Sequence, residues 1–296
     1  MATDKNRHAM ETRQLTATTG VYLRPQTIGE ALKALATMPL TILAGGTDFY
    51  AARTGQAITE PVLDITAVPE LQGIRDEGAQ WRIGATVTWS NIVRADFPAQ
   101  FRGLQAAARA VGGVQVQNTG TVAGNICNAS PAADGIPALM ALDARVEVSS
   151  LSETRIVPLT EFVLGSRKIA RLPSELVTGI LIPKRDRAKS SFLKLGHRRY
   201  LVISIAMVAA VIEIDTAGVI TYAGVAVGSC SAAAKRLSAL EQKLLGRQAS
   251  RGLSALVEAH DLVALTPIDD VRGTGAYRRD AALTLVKRAI EEALHE

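Results

Sequence analysis

The stretch TVAGNICNASPAADGIPALMALDARVEV, residues 121–148, sets the tightest limit on what this chain can become. Its first half is made of small residues, glycine and polar turn-formers: Thr121, Gly124, Asn125, Asn128, Ser130, Pro131 and Asp134. Such residues offer little side chain to a core, and they suit tight turns and close approach of backbone or ligand. Only after Gly135 does the pattern settle into a helix-like run, IPALMALDA, followed by an alternating strand, ARVEV. The segment reads as a loop that a helix and a strand hold in place. A second small-residue loop, AGGTD over Ala44 to Asp48, follows a short aliphatic strand. Successive backbone N–H groups in such turns form anion-binding concavities. One glycine-rich turn is usually only a turn; two, each beside hydroxyls and amides, make a phosphate or pyrophosphate cradle credible.

Other catalytic signatures are missing. The chain has no GxxxxGK[ST], HExxH or GxSxG, and no GxGxxG follows a strand, so a Rossmann dinucleotide site is unsupported. The four histidines, His8, His197, His260 and His295, lack metal-ligand spacing. Two cysteines, Cys127 and Cys230, exclude a zinc ribbon or a cysteine-ligated iron–sulfur cluster within this chain and suit two reduced thiols. The net charge of +5 is mild and unclustered, which argues against nucleic-acid binding. The longest aliphatic run, YLVISIAMVAAVIEID, is broken by Ser204 and Glu213 and is too short to span a bilayer. The polar start lacks an apolar signal core. The expectation is a cytoplasmic protein with no membrane insertion.

At 296 residues the chain has room for about two domains. With only 4% aromatic residues, its core must be mainly Ala, Val, Leu and Ile. YLRPQTIGEALKALATMP predicts a helix with a Thr27–Glu30 capping box and an Ile28, Ala31, Leu32, Leu35 face, ended by Pro39. Strands are expected in LTIL, PVLDITAV, AQWRIGATVTW and ELVTGILIP, and an Ala-rich helix in FRGLQAAARAVGG. The charged PKRDRAKSSFLKLGHRR reads as a boundary or connecting loop. SIAMVAAVIEID and VITYAGVAVGS should pair as a hairpin about Asp215–Gly218. Three helices are expected after it: one capped by Ser231, one over QASRGLSALVEAHDLV, and a last one. The last should bury Leu283, Val286, Ile290 and Leu294 and expose a Lys287–Glu291 pair. The layout is α+β, without repeats.

LAGGTD, QNTGTVAGNICNASPAADGIPALMALDA, ELVTGILIP, Lys194 to Arg199 and DVRGTGAYRRDAALTLVKRA occur in an order that resembles one family. It is the FAD-binding (medium) subunit of the molybdenum hydroxylases, of the xanthine dehydrogenase and carbon monoxide dehydrogenase type, and the resemblance runs from about residue 18 onward. It implies a vanillyl-alcohol-oxidase/PCMH-type FAD domain of two α+β subdomains, then a C-terminal domain of a small antiparallel sheet with helices. The implied limits are a mobile leader over 1–17, FAD-binding subdomains over about 18–70 and 71–187, and the C-terminal domain over 188–296. Ala44, Gly45, Gly46, Thr47 and Asp48 would wrap the FAD pyrophosphate, and Thr121, Val122, Ala123, Gly124 and Asn125 would form the second wall. Asp134 would accept a hydrogen bond from a ribityl or ribose hydroxyl. Lys194 would be the basic residue near the cofactor, and Val177 would give a backbone contact.

The resemblance also implies non-covalent FAD here, with the molybdenum cofactor and two [2Fe–2S] clusters in a large and a small partner subunit. The assembly would be a dimer of heterotrimers, with NAD, a quinone or O₂ as acceptor. Two departures stand out: Ala123 where many relatives have Gly, and Leu201-Val202 where some have an acidic–aromatic pair, leaving Tyr200 as a substitute flavin shield. A stand-alone flavin oxidase and a non-enzymatic nucleotide-binding module are the competing readings.

Overall fold

The computed structural model describes residues 20–295; the expected leader over 1–17 and His8 lie outside the described residues. Three short strands open the fold as a parallel sheet, with Val62–Asp64 between Tyr22–Leu23 and Thr41–Leu43. Parallel pairing needs a crossover, which the helix Ile28–Thr37 supplies. Its Ala31, Leu32 and Leu35 are buried, as the apolar spacing requires. Thr27 accepts from the Glu30 N–H at 3.1 Å. The Glu30 carboxylate, however, takes the N–H of Gln26 at 2.8 Å, one residue before the expected box partner.

The second sheet has five antiparallel strands in the order Ile74–Asp76, Gln80–Gly84, Leu176–Pro183, Arg145–Ser149, Thr154–Pro158. Its central strand, the ELVTGILIP run, is buried along nearly its whole length, consistent with an apolar run that has no polar face. Helices Trp89–Arg94, Arg102–Ala110 and Gly135–Ala141 contribute to the same core.

The third sheet runs Ala188–Leu195, Ala206–Ile214, Ile220–Gly228, Lys235–Arg236. The expected hairpin is present: Asp215 accepts from the N–H groups of Ala217 and Val219, and Gly218 takes φ +80°. Along Ala206–Ile214, alternate residues serve two cores. Met207, Ala209 and Val211 face the first core, while Ala206, Val208, Ala210 and Ile212 pack with the helix Gly275–His295.

The segment expected to be a charged connecting loop instead holds the strand Ala188–Leu195. Its serines are buried but satisfied. Ser190 donates to Gln100 O at 2.7 Å and accepts from Gly103 N at 2.8 Å, and Ser191 donates to Ala289 O at 2.7 Å. Long-range partners make these polar residues internal, and composition cannot show them. QASRGLSALVEAHDLV forms two 3₁₀ turns, Leu253–Leu256 and Ala259–Leu262, not one helix. Glu291 holds the first by accepting from Ser254 N at 2.9 Å, rather than serving only a surface pair. The helix expected to start at Ser231 begins only at Ser238, and the Ser231 hydroxyl accepts from Thr266 N. In the last helix Leu283 is only partly buried, and Ala282 and Ala289 complete the stripe.

Asp64 ends the middle strand of the first sheet and ties its neighbours together. It accepts from the Tyr22 hydroxyl, from Thr66 Oγ1 at 2.6 Å and from Thr66 N at 2.9 Å, with Arg24 Nε at 3.4 Å. Burial alone would raise its carboxyl, but the Thr66 and Tyr22 hydrogen bonds outweigh that and hold it below the usual 3.8. A depressed folded-state pKa stabilises above the unfolded value and is lost as pH falls through the folded one. Asp64→Asn should therefore cost about 1–3 kcal/mol at pH 7. It should also flatten the loss of stability below about pH 4, read from urea melts across pH.

Candidate functional site

The loop Ala44 to Asp48 packs against the backbone immediately before the second small-residue segment. A Cβ placed on Gly45 would lie 2.0 Å from Thr119 O, so only glycine allows this backbone contact. Gly46 is left-handed at φ +72° and leads into the helix Thr47–Ala51, which has no side-chain cap. The close neighbour of Gly45 is thus no ligand but the backbone of Thr119, the last residue of the helix Val114–Thr119, which ends just before the second segment.

TVAGN, expected as a loop, is the first turn of a helix, Val122–Asn128. Thr121 caps it by accepting from Gly124 N at 3.0 Å, and Val122 N donates to Val87 O at 2.9 Å. A threonine followed by small residues is a legitimate N-cap signal that the small-residue composition masked. The helix ends at Ala129 in a left-handed conformation, φ +45°. Ala123 sits inside the helix and is not among the residues with positive φ, so its methyl is tolerated there. Val122 is fully buried, and its side chain belongs to the core.

A cleft of about 590 Å³ opens beside this junction, lined by Ala44 to Asp48, Thr121, Ala123, Gly124, Asn125 and Val177. A second, of about 650 Å³, shares Ala44, Gly45 and Thr121 and adds Thr88, Asn91 and Asn118. Asn125 lines the first cleft, and its Oδ1 is buried with no partner among the described residues. An orphaned amide oxygen beside a cleft is an acceptor for a ligand's hydroxyl or N–H. Arg53 and Arg171 also line the cleft, and neither was legible in the sequence, because no local pattern marks them. Arg53 pairs with Glu60 and donates to Phe49 O at 2.7 Å. Two guanidinium groups and an unpartnered acceptor, beside a glycine-made junction between clefts, fit an extended anionic ligand that also carries donors. FAD meets that description. Asp48 is exposed, 3.9 Å from Arg167, a separation and setting in which an ion pair adds little.

Asp134 and Lys194 are brought together, but with each other and not in the cleft lining. Lys194 Nζ lies 2.7 Å from Asp134 Oδ2, and the Ser204 hydroxyl donates to Oδ1 at 2.6 Å. Burial pushes the Asp134 carboxyl up, while Lys194 and then Ser204 pull it back. Ser204 was missed because its partner is 70 residues away in sequence. Tyr200, considered as a flavin shield, is 65% exposed and does not line the cleft. Leu201 beside it is left-handed at φ +52° and sits against Gly113.

Residues 13–185 match the model of the FAD binding domain in molybdopterin dehydrogenase, and residues 191–293 match the CO dehydrogenase flavoprotein C-terminal domain. The nicotinate dehydrogenase FAD-subunit of Eubacterium barkeri is 33% identical over 76% of this chain and 79% of its own length. The glyceraldehyde dehydrogenase medium chain of Sulfolobus acidocaldarius is 29% identical over 92% of this chain and 97% of its own. Among solved structures, a carbon monoxide dehydrogenase from Hydrogenophaga pseudoflava that lacks the Mo-pyranopterin moiety superimposes with a TM-score of 0.83. It is 28% identical, over 92% of this chain and 96% of its own.

Gly45→Ala should destabilise the protein by about 1–3 kcal/mol by forcing the two segments apart. Gly165→Ala, where an added Cβ meets nothing within 4 Å, should stay within about 0.5 kcal/mol of wild type. Differential calorimetry compares them directly. Burial pushes both thiols up to about 11. At pH 8 in the folded protein, Cys230, which is buried, should thus resist iodoacetamide and become reactive only after denaturation, as mass spectrometry would show, whereas Cys127 is half-buried and lines the first cleft.

Proposed function

We propose, from the premise that this chain belongs to the molybdopterin-dehydrogenase FAD-binding family, that it is the FAD-carrying electron-transfer subunit of a multi-subunit molybdenum hydroxylase. It would stand between the iron–sulfur clusters of a small partner and an acceptor such as NAD. The observation that carries this is the pair of clefts that meet at the Gly45–Thr119 contact, with Asn125 Oδ1 unpartnered beside it. Family membership says which ligand the clefts serve; the geometry supports where it would lie.

Under this reading the loop Ala44 to Asp48 and the start of the helix Val122–Asn128 hold the pyrophosphate and its surroundings. Arg171 would balance its charge, while Arg53 lines the cleft already paired with Glu60. Asn125 Oδ1 would accept from the ligand, and Val177 would contribute backbone at the wall. Asp134 and Lys194 would meet the cofactor from the side of the third sheet, where Lys194 lies in the strand Ala188–Leu195. When bound, FAD supplies the redox chemistry and the protein holds and orients it. Two cysteines, with Cys230 buried, leave the clusters to a partner chain. The reading also places a molybdenum cofactor in a large partner, two copies of the three-chain unit in the assembly, and a division near residue 187 between FAD-binding and C-terminal domains. The nicotinate-dehydrogenase relative favours an N-heterocyclic substrate for the complex.

The test is the visible spectrum of the purified chain after incubation with FAD. A flavin spectrum is expected, and Gly45→Val and Asp134→Ala should each reduce FAD retention several-fold. Folded protein that stays colourless overturns the reading; two variants that retain flavin as wild type does overturn the site. Purification from the native host should bring down a large molybdenum-containing chain and a small Cys-rich one. Substrate turnover by the isolated chain would instead favour a stand-alone flavin oxidase.

A further inference from the structure

The segment DVRGTGAYRRD is remote in sequence from both loops, yet its central arginine is buried, with Arg278 only 3% exposed. Arg278 lies in the first turns of the helix Gly275–His295. Its Nη1 donates to Ile205 O at 2.5 Å and to Ser229 O at 3.1 Å, and its Nη2 donates to Asp270 Oδ1 at 2.7 Å. Asp270 is itself fixed, because the same oxygen accepts from Arg272 N at 2.8 Å. A buried guanidinium forked over two carbonyls and a carboxylate sets the relative position of three backbone segments.

Two of those segments lead to Asp134. Ile205 directly follows Ser204, whose hydroxyl donates to Asp134 Oδ1. Ile205 N also donates to Leu195 O at 2.8 Å, which sets Ser204 beside Lys194 across the hairpin. Ser229 N donates to Pro131 O at 3.0 Å, which holds the SPAADG turn that carries Asp134. Asp134 occupies the cap position of the helix Gly135–Ala141 but makes no hydrogen bond to its own helix. An aspartate there ordinarily bonds the free N–H groups of the first turn. This one is met instead by Lys194, on the third sheet, and by Ser204, in the segment just before the strand Ala206–Ile214.

We propose that Arg278 is a positioning residue for Asp134: it clamps the strand end that presents Ser204 and, through Ser229, the turn that presents the carboxylate. Its importance to the cofactor rests on the reading above that Asp134 contacts FAD. The clamp itself is independent of that reading, being wholly protein geometry.

A double-mutant cycle in the full chain tests it, with the FAD dissociation constant and the flavin absorption band as readouts. Thermal unfolding of the flavin-free protein monitors folding. Ser204→Ala and Arg278→Lys should each weaken FAD binding about 5-fold or more, the scale of one net hydrogen bond, and should shift the flavin band. In an Asp134→Ala background the same substitutions should change binding by less than about 2-fold. Equal fold-changes in both backgrounds, or none while Asp134→Ala alone weakens binding, overturn the clamp's role and leave the Asp134 assignment standing. If Asp134→Ala alone binds FAD as wild type does, the assignment of Asp134 falls, and the clamp's role in FAD binding with it. Should Arg278→Lys fail to fold, Asp270→Asn, which weakens the carboxylate contact that holds Arg278, is measured in the same two backgrounds and should show the same pattern; equal fold-changes in both overturn the clamp.

Discussion

The strand Ala206–Ile214 has two buried faces, and the arrangement of the site depends on that. Up to Ile212 its run of Ala, Met, Val and Ile leaves no polar side to offer to water, so both faces must be covered. One is covered by the helix Gly275–His295, the other by the core that supports the second sheet and the helix Gly135–Ala141. The C-terminal sheet is thereby a wall of the first core as well as the floor of its own. Of the donors that meet Asp134, Lys194 stands on this wall and Ser204 in the segment that leads into it.

That placement explains how a buried acid is accommodated. Asp134 and Lys194 are 8% and 13% exposed at the side chain, where an unpaired charge would be costly. Each oxygen of Asp134 has one donor, from Lys194 and Ser204. Neither donor is sequence-local, and both depend on the antiparallel pairing of Ala188–Leu195 with Ala206–Ile214. Electrostatics at this point is a product of strand register. A one-residue slip would turn Lys194 to the other face of the sheet.

Much of the fold was legible because it follows period and punctuation. The first helix, the ELVTGILIP strand, the Asp215–Gly218 hairpin and the last helix carry the apolar spacing and turn residues that specify them locally. The elements that were misread share one physical feature. Ala188–Leu195 is polar in composition, but its buried serines bond to Gln100, Gly103 and Ala289, which no local window contains. QASRGLSALVEAHDLV has helical spacing, yet Glu291 from the distant last helix bonds its start and two short turns result. In TVAGN the cap threonine was present, but glycine and alanine obscured the helix it begins.

By itself, then, the sequence determined the two glycine-bearing segments, the family they mark, and the exclusion of a cluster-binding role by two cysteines. These follow from residue chemistry and order alone. Tertiary structure decided what each glycine is for, since Gly45 is required by Thr119 and not by position in a motif. It also decided that Arg53, Arg171 and an unpartnered Asn125 face one cleft, and that Arg278 reaches both sides of Asp134. Contacts of this kind join residues tens of positions apart. They exist only once the hydrophobic faces have been paired, and no local pattern encodes them.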